Sequence, residues 1–406
     1  MLITNIGRLV TMVPAPGREG VLGVLEGAAL HIEGDRIMEI GLVTDVPAAE
    51  DVINVAGKVV MPGLIDCHTH MVHSGSRHRE MKLRSEGKTY QDIARAGGGI
   101  MSTVTATRAA EGVDLFREAW GRADEALALG TTTLEIKSGY GLDVATELKI
   151  IEVIGRLKRE HPLRLIATFM GAHVIPSDSK RRRADYVQLV INDMLPAVKR
   201  TGICQACDVF VDELAFTVDE ARAICQAAKH LGFAIRLHVD QFSDTCGAQL
   251  ASELGAKNAD HLDHVSDKGI RAMVERSVVG VLLPGAAFFT GGRHYPPARK
   301  MIDMGLTVAI ASDYNPGTNP SLNLWLAATI AITQMGLTCD EALRGITIHA
   351  ARALGVENEC GTIEVGKRAD LIILDAPDEY FPLYRYGRST VEQVIISGKV
   401  VSPASS

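Results

Sequence analysis

Apolar and polar positions alternate with two different periods along this chain, and the changes of period divide it into three parts. The first fifty-odd residues carry short period-two runs broken by turn residues. GAALHIEGDRIMEIG alternates around Gly34-Asp35, which predicts a β-hairpin. The C-terminus has the same character: GTIEVGKRADLIILDA, then VEQVIISGKVV with a turn at Ser397-Gly398. Between these ends lie eight apolar, β-rich runs: VVMPGLID, GTTTLEIKS, LRLIATFMG, CDVFVDE, FAIRLHVD, KNADHLDHV, VVGVLLPG and LTVAIASD. Segments of helical period, such as VATELKIIEVIGRLKREH and TVDEARAICQAAKHLG, separate most of them.

Alternating β and α units imply a parallel sheet, and eight of them imply a closed TIM-like (β/α)8 barrel over residues 58–357. The β-rich ends, residues 1–57 and 358–406, predict one small β-sandwich domain built from both termini, because chain ends usually lie close together. The stretch ARAGGGIMSTVTATRAA follows the first run. Its Gly97-Gly98-Gly99 lacks the strand-to-helix context of a nucleotide motif, so it reads as a flexible loop at the barrel mouth.

Composition narrows the class. A chain of 406 residues, 47% hydrophobic and 22% charged, is an ordinary globular protein with room for a large core. Its net charge of -7 argues against nucleic acid or an anionic membrane as the main partner and leaves a small molecule. The basic run Lys180-Arg181-Arg182-Arg183 reads as a solvated loop face. Seven scattered cysteines do not form a disulfide framework, which favours a reducing cytoplasm. Cys204 and Cys207 make a lone C-x-x-C without a second pair at zinc-site spacing. The N-terminus shows neither a basic leader nor a long apolar core, and no run of about 18 apolar residues suggests a membrane span.

The chemistry is expected where barrel strands end at their C-terminal face. Residues two apart on a strand share a face, so His68 and His70 of VVMPGLIDCHTH converge on one spot, while Cys67 points into the barrel wall. Other strand ends add Tyr140, His173, His238 followed by Gln241, His261, and Asp313 followed by Asn315. Three imidazoles and one carboxylate (His68, His70, His238 and Asp313) suit one Zn2+ or Fe2+ ion with a position left for water. The fourth run, CDVFVDE, holds no lysine to bridge two ions, so the site reads as mononuclear. Lys137 on the second run is taken as structural.

PGLIDCHTH on a first strand, an HVD strand end and a late SD strand end resemble the amidohydrolase superfamily. Further matches are the Gly75–Arg77 GSR, the GGGI loop, EIKSGYGL around Tyr140, FMGAH ending at His173, ADHL around His261, LLPG and SDYNPGT. They run in order over nearly the whole chain. The resemblance implies this barrel with a terminal β-sandwich, a mononuclear centre on the four ligands above, and hydrolysis of a five-membered cyclic amide that carries a carboxylate tail. It places Arg77, Tyr90, Tyr140 and His173 at the substrate, Gln241 and His261 beside the ring, and Asn315, Gly317 and Thr318 at the product. It also implies a homodimer, the usual state of similar enzymes.

Two features depart from the pattern. His73 and Ser74 stand where many members have an aromatic and a small residue, and Gln241 stands where some carry glutamate. Glutamine cannot accept a proton, so base duty falls to His261 or Asp313. His261 is the expected proton shuttle, on the strength of an ordinary pKa near 6.5, and His173 or the ion is expected to stabilise the oxyanion. The alternatives are an aminohydrolase that releases ammonia from a related cyclic amidine, and a non-catalytic metal-binding barrel.

Overall fold

The computed structural model describes residues 1–42, 51–88, 92–93, 97–176, 182–292 and 294–401. Two sheets organise them. The first has eight strands and takes in both chain ends: β1 (Leu2–Val10), β2 (Val24–Glu33), β3 (Arg36–Leu42), β4 (Val52–Asn54), β5 (Val59–Pro62), and, at the other end of the sequence, Leu371–Leu374, Val391–Ile396 and Lys399–Val401. The expected hairpin forms between β2 and β3, with Gly34 at φ 59°. A second hairpin turns at Ser397-Gly398, where both residues adopt the left-handed region. Ile3, Ile6, Leu9, Leu30, Ile37, Val60, Leu371, Ile373 and Ile395 form one buried core between the strands of the two ends. Alternation of apolar and polar positions along these strands is what makes one face available for that core.

The second sheet is the barrel: β6 (Leu64–Asp66), β7 (Thr131–Lys137), β8 (Arg164–Ala172), β9 (Ala206–Val211), β10 (Ala234–Val239), β11 (Asn258–His261), β12 (Val279–Leu282) and β13 (Val308–Ile310). They lie in chain order, each parallel to the next. β6 and β13 meet to close it. Asp313 N–H donates to the His68 carbonyl at 3.1 Å, His70 N–H donates to the Tyr314 carbonyl at 2.8 Å, and Thr69 and Tyr314 form a parallel bridge. The buried Asp66 carboxylate reinforces the seam by accepting from Ser312 Oγ at 2.5 Å and Ser312 N at 3.1 Å. Helices cover the outside. Val144–Glu160 starts at an Asp143 cap, and Val218–His230 starts at a capping box between Thr217 and Glu220. Among the described residues, no helix is long and apolar enough to cross a membrane.

Two expectations need correction. The apolar run VVMPGLID is not one barrel strand. Val59–Pro62 pairs with β1 and with Leu371–Leu374 in the terminal sheet, and only Leu64–Asp66 enters the barrel. A continuous apolar run is needed in either sheet, so hydrophobicity alone hides the change-over. Gly63 marks it. The stretch after the first barrel strand is irregular at Gly97-Gly98-Gly99, but from Ile100 to Ala109 it is a helix that buries Thr103, Val104 and Thr107.

At Gly63, a Cβ would stand 2.1 Å from Thr132 Cγ2 and 2.7 Å from Thr132 Cβ. Gly63→Ala is therefore expected to destabilise the chain by about 1–3 kcal/mol, as overpacking does. Denaturant unfolding followed by circular dichroism measures it, and an unchanged midpoint would mean that Thr132 moves aside freely.

Candidate metal centre and substrate site

The closure seam decides where the chemistry is. By joining β6 to the end of β13, it sets the His68 and His70 rings beside the Asp313 carboxylate, and β10 brings His238 from across the barrel. His70 Nε2 lies 3.3 Å from His68 Nε2 and 3.4 Å from His238 Nε2, and Asp313 Oδ1 lies 3.5 Å from His68 Nε2 and 3.8 Å from His70 Nε2. All four side chains are buried. The expected ligand set is thus gathered at one point, and His261 adjoins it: one nitrogen from each of His68, His238 and His261 fits within 4.8 Å.

The far side of two rings explains what these nitrogens carry. His68 Nδ1 donates to Asp260 Oδ2 at 2.6 Å, and His238 Nδ1 donates to Asp208 Oδ1 at 2.9 Å. Each ring's proton is therefore committed to a carboxylate, and the Nε2 lone pairs of His68 and His238 face His70 across 3.3–3.4 Å. A proton on His70 Nε2 can serve one of these two lone pairs and leaves the other unpaired, and His70 Nδ1 has no hydrogen-bond partner among the described residues. Burial pushes the His68 and His70 pKa well down, so protonation does not relieve the crowding at neutral pH. Burial also pushes the Asp313 carboxyl up to about 8. A divalent cation among these atoms satisfies all four groups, and the donor set, three imidazoles and a carboxylate, suits Zn2+ or Fe2+.

Around this centre the expected substrate residues stand in different states. Tyr140 is buried, with its ring 6.0 Å from that of His70 and 5.6 Å from that of His173. His173 stacks on His70 at 5.0 Å. Its Nδ1 donates to the Gly139 carbonyl at 3.0 Å, and burial lowers its pKa to about 4. A neutral ring with its only proton on Nδ1 presents Nε2 as an acceptor. The expected role of His173 as an oxyanion donor does not fit that tautomer. His261 ends β11 at φ 76°, a left-handed conformation costly for a side chain of its size. Burial, then the neighbouring His238, pushes its pKa well below the ordinary value on which its shuttle role was argued. It enters the site as a neutral base.

Arg77 donates from Nε and Nη2 to Glu80 at 2.9 and 2.7 Å, so half of its fork is committed. Its Nη1 lies against Gly317, where a Cβ would come within 2.1 Å. Glu80 also accepts from Gly99 N at 2.8 Å and so ties the glycine loop to Arg77. Asn315, expected to touch product, is consumed by its own loop. Its Oδ1 accepts from Gly317 N and Thr318 N, both at 2.8 Å, and its Nδ2 donates to the Asp313 carbonyl and Thr318 Oγ1, both at 2.7 Å. Thr318 Oγ1 in turn lies 3.4 Å from Asp313 Oδ2. Gln241 is half-buried just past β10. His73 does not face solvent; it packs against Tyr140 and Tyr314 at 5.9 and 6.1 Å, and both its ring nitrogens lack a partner among the described residues. Tyr90 lies outside the described residues.

The amidohydrolase family model matches residues 59–401. An imidazolonepropionase of Alkaliphilus oremlandii is 42% identical to this chain over 98% of its length and 97% of the relative's. One of Geobacillus kaustophilus is 44% identical over 94% and 91%. The chain belongs to the imidazolonepropionase family of amidohydrolases. A solved adenosine deaminase of Xanthomonas campestris with bound zinc shares the fold, with a TM-score of 0.75 at 20% identity over 98% of this chain and 92% of that one.

What strand ends alone did not reveal in this family member is the charge beneath them. Glu135, Lys137, Asp208, Arg236 and Asp260 are all buried inside the barrel. Glu135 and Lys137 lie two residues apart on β7, as do Arg236 and the candidate ligand His238 on β10. Charged residues at period two inside apolar strands, as in TLEIKS and AIRLHVD, are the signal that points to them.

Removing Asn315 tests the loop that carries Asp313. Asn315→Ala is expected to cost about 1–3 kcal/mol through the orphaned Gly317 and Thr318 amides. Hydrogen exchange of those two amides should accelerate, and unchanged protection would assign the order of the loop to other contacts.

Proposed function

We propose that this chain is a metal-dependent imidazolonepropionase that hydrolyses 4-imidazolone-5-propanoate to N-formimidoyl-L-glutamate. The observation that carries the reading is the convergence of His68, His70 and His238 Nε2 beside Asp313, with Nδ1 of His68 and His238 bound to carboxylates. The kinship with imidazolonepropionases supports the substrate. One Zn2+ or Fe2+ ion is the proposed cofactor, on His68, His70, His238 and Asp313. The cytoplasm is the proposed location, and a homodimer the proposed assembly.

When bound, a divalent ion supplies Lewis acidity and makes a water acidic enough to act as a nucleophile near neutral pH. The chain's own residues do the rest. Arg77, with Nη1 and the edge of its fork next to Gly317, receives the propionate, and Glu80 keeps that fork from swinging. Tyr140 lends a hydroxyl at the same end of the pocket. His173 Nε2 accepts from a ring N–H of the substrate and so orients the ring instead of stabilising an oxyanion. His261, neutral and beside the ligands, takes the water's proton as that water attacks the ring carbonyl. It then returns the proton to the departing ring nitrogen, with Asp313 as the second acceptor. Gln241 can only hydrogen-bond to the ring, because its amide takes no proton. Gly317 and Thr318 line the product side, shaped by Asn315.

Purified protein given 4-imidazolone-5-propanoate should release N-formimidoyl-L-glutamate without ammonia, and elemental analysis of the same sample should find about one Zn or Fe per chain. Ammonia release would favour the cyclic-amidine aminohydrolase reading, and no turnover of any cyclic amide would favour a non-catalytic barrel. Arg77→Ala is expected to raise KM far more than it lowers kcat; an unchanged KM would remove Arg77 from the tail site. His261→Ala should lower kcat by about 10^2–10^4-fold with full metal content.

A further inference from the structure

Lys137 is buried completely in the barrel, below the histidines and out of reach of solvent. Its ammonium meets three carboxylates: Asp208 Oδ2 at 2.7 Å, Glu135 Oε1 at 3.1 Å and Asp260 Oδ2 at 3.4 Å. Two of these acids are the ones that hold histidines. Asp208 divides its oxygens, Oδ2 to Lys137 and Oδ1 to His238 Nδ1. Asp260 accepts from Asn258 at Oδ1 and turns Oδ2 to both Lys137 and His68 Nδ1. Arg236 Nη1 and Thr168 Oγ1 donate to the same Glu135 Oε1.

A merely structural lysine would need one partner. This one spans β9 and β11 from β7 and touches both acids that fix histidine protons. Two carboxylates this close together repel each other in a medium where unscreened charges interact strongly. The ammonium between them holds them at the spacing at which each meets its own imidazole. We propose that Lys137 is a positioning residue for the metal centre: through Asp208 and Asp260 it holds His238 and His68 as Nδ1–H tautomers with Nε2 turned to a divalent transition ion. The inference rests on the reading of His68, His70, His238 and Asp313 as metal ligands and adds to it the group that sets their orientation. Carboxylates behind metal-binding histidines commonly carry 10–100-fold in affinity, and Lys137 governs two of them at once.

The test is Zn2+ affinity by chelator competition on apo protein, read together with the rise in melting temperature that Zn2+ produces. Lys137→Met should fold as apo protein, bind Zn2+ about 10–100-fold more weakly than wild type, and show a smaller metal-dependent rise. Lys137→Arg, which keeps the charge and can fork between the two acids, should recover most of that affinity. If Lys137→Met lowers the apo melting temperature but leaves Zn2+ affinity at the wild-type value, Lys137 is a core residue only and the inference is overturned. A Lys137→Met chain that does not fold passes the same comparison to Lys137→Gln, whose amide still donates to Asp208. Wild-type protein that takes up no Zn2+ overturns the metal reading itself, and the inference with it.

Discussion

Neutral imidazole nitrogens do not gather of their own accord, and in this molecule His70 Nε2 stands 3.3–3.4 Å from the Nε2 atoms of His68 and His238, whose rings turn their protons away. That arrangement is unfavourable unless a cation shares the space, so the rest of the interior can be understood as what enforces it. Asp208 and Asp260 hold the rings from behind, and the seam between the first and last barrel strands brings Asp313 to the two histidines of β6. Hydrophobic packing alone would not produce this. It would place branched side chains at the same inward positions and leave the ring nitrogens unaligned.

Most barrels of this architecture fill their interior with layers of aliphatic side chains. Here the inward positions of β7, β9, β10 and β11 carry Glu135, Lys137, Asp208, Arg236, Asn258 and Asp260. Buried charge on this scale is expensive and is tolerated only where every member has partners. The stability lost to desolvation is recovered as precision, since Lys137 and His238 each hydrogen-bond to Asp208, and Asp260 hydrogen-bonds to His68 while pairing with the Lys137 ammonium at 3.4 Å.

Much of this was legible in the residues. Eight apolar runs alternating with helical segments identify the barrel because parallel strands need crossovers. The four candidate ligands stand out because polar groups at the ends of apolar strands are otherwise hard to place. The misreadings have separate physical causes. VVMPGLID looks like one strand because both of its halves are buried, and only the three-dimensional pairing tells a β5 residue from a β6 one. His261 seemed an ordinary titrating histidine because burial, which lowers its pKa, is invisible in a list of residues. Asn315 looked free to bind because the turn it closes is local but not periodic. Glu80 went unnoticed because a single acid on a short polar helix gives no hint that Arg77 and a glycine loop depend on it.

The split of VVMPGLID at Gly63 gives the terminal sheet a stake in the active site. One unbroken length of backbone, eight residues from first to last, is a rung in the sheet that Leu371–Leu374 completes and then the stave from which His68 and His70 extend. Loss of the C-terminal strands would strip β5 of its partner on one edge and slacken that stave at its root. A lesion far from the catalytic centre in space, and farther in sequence, would then be felt as ligands out of alignment. Truncation at the end of this chain and mutation at its heart would converge on a single defect.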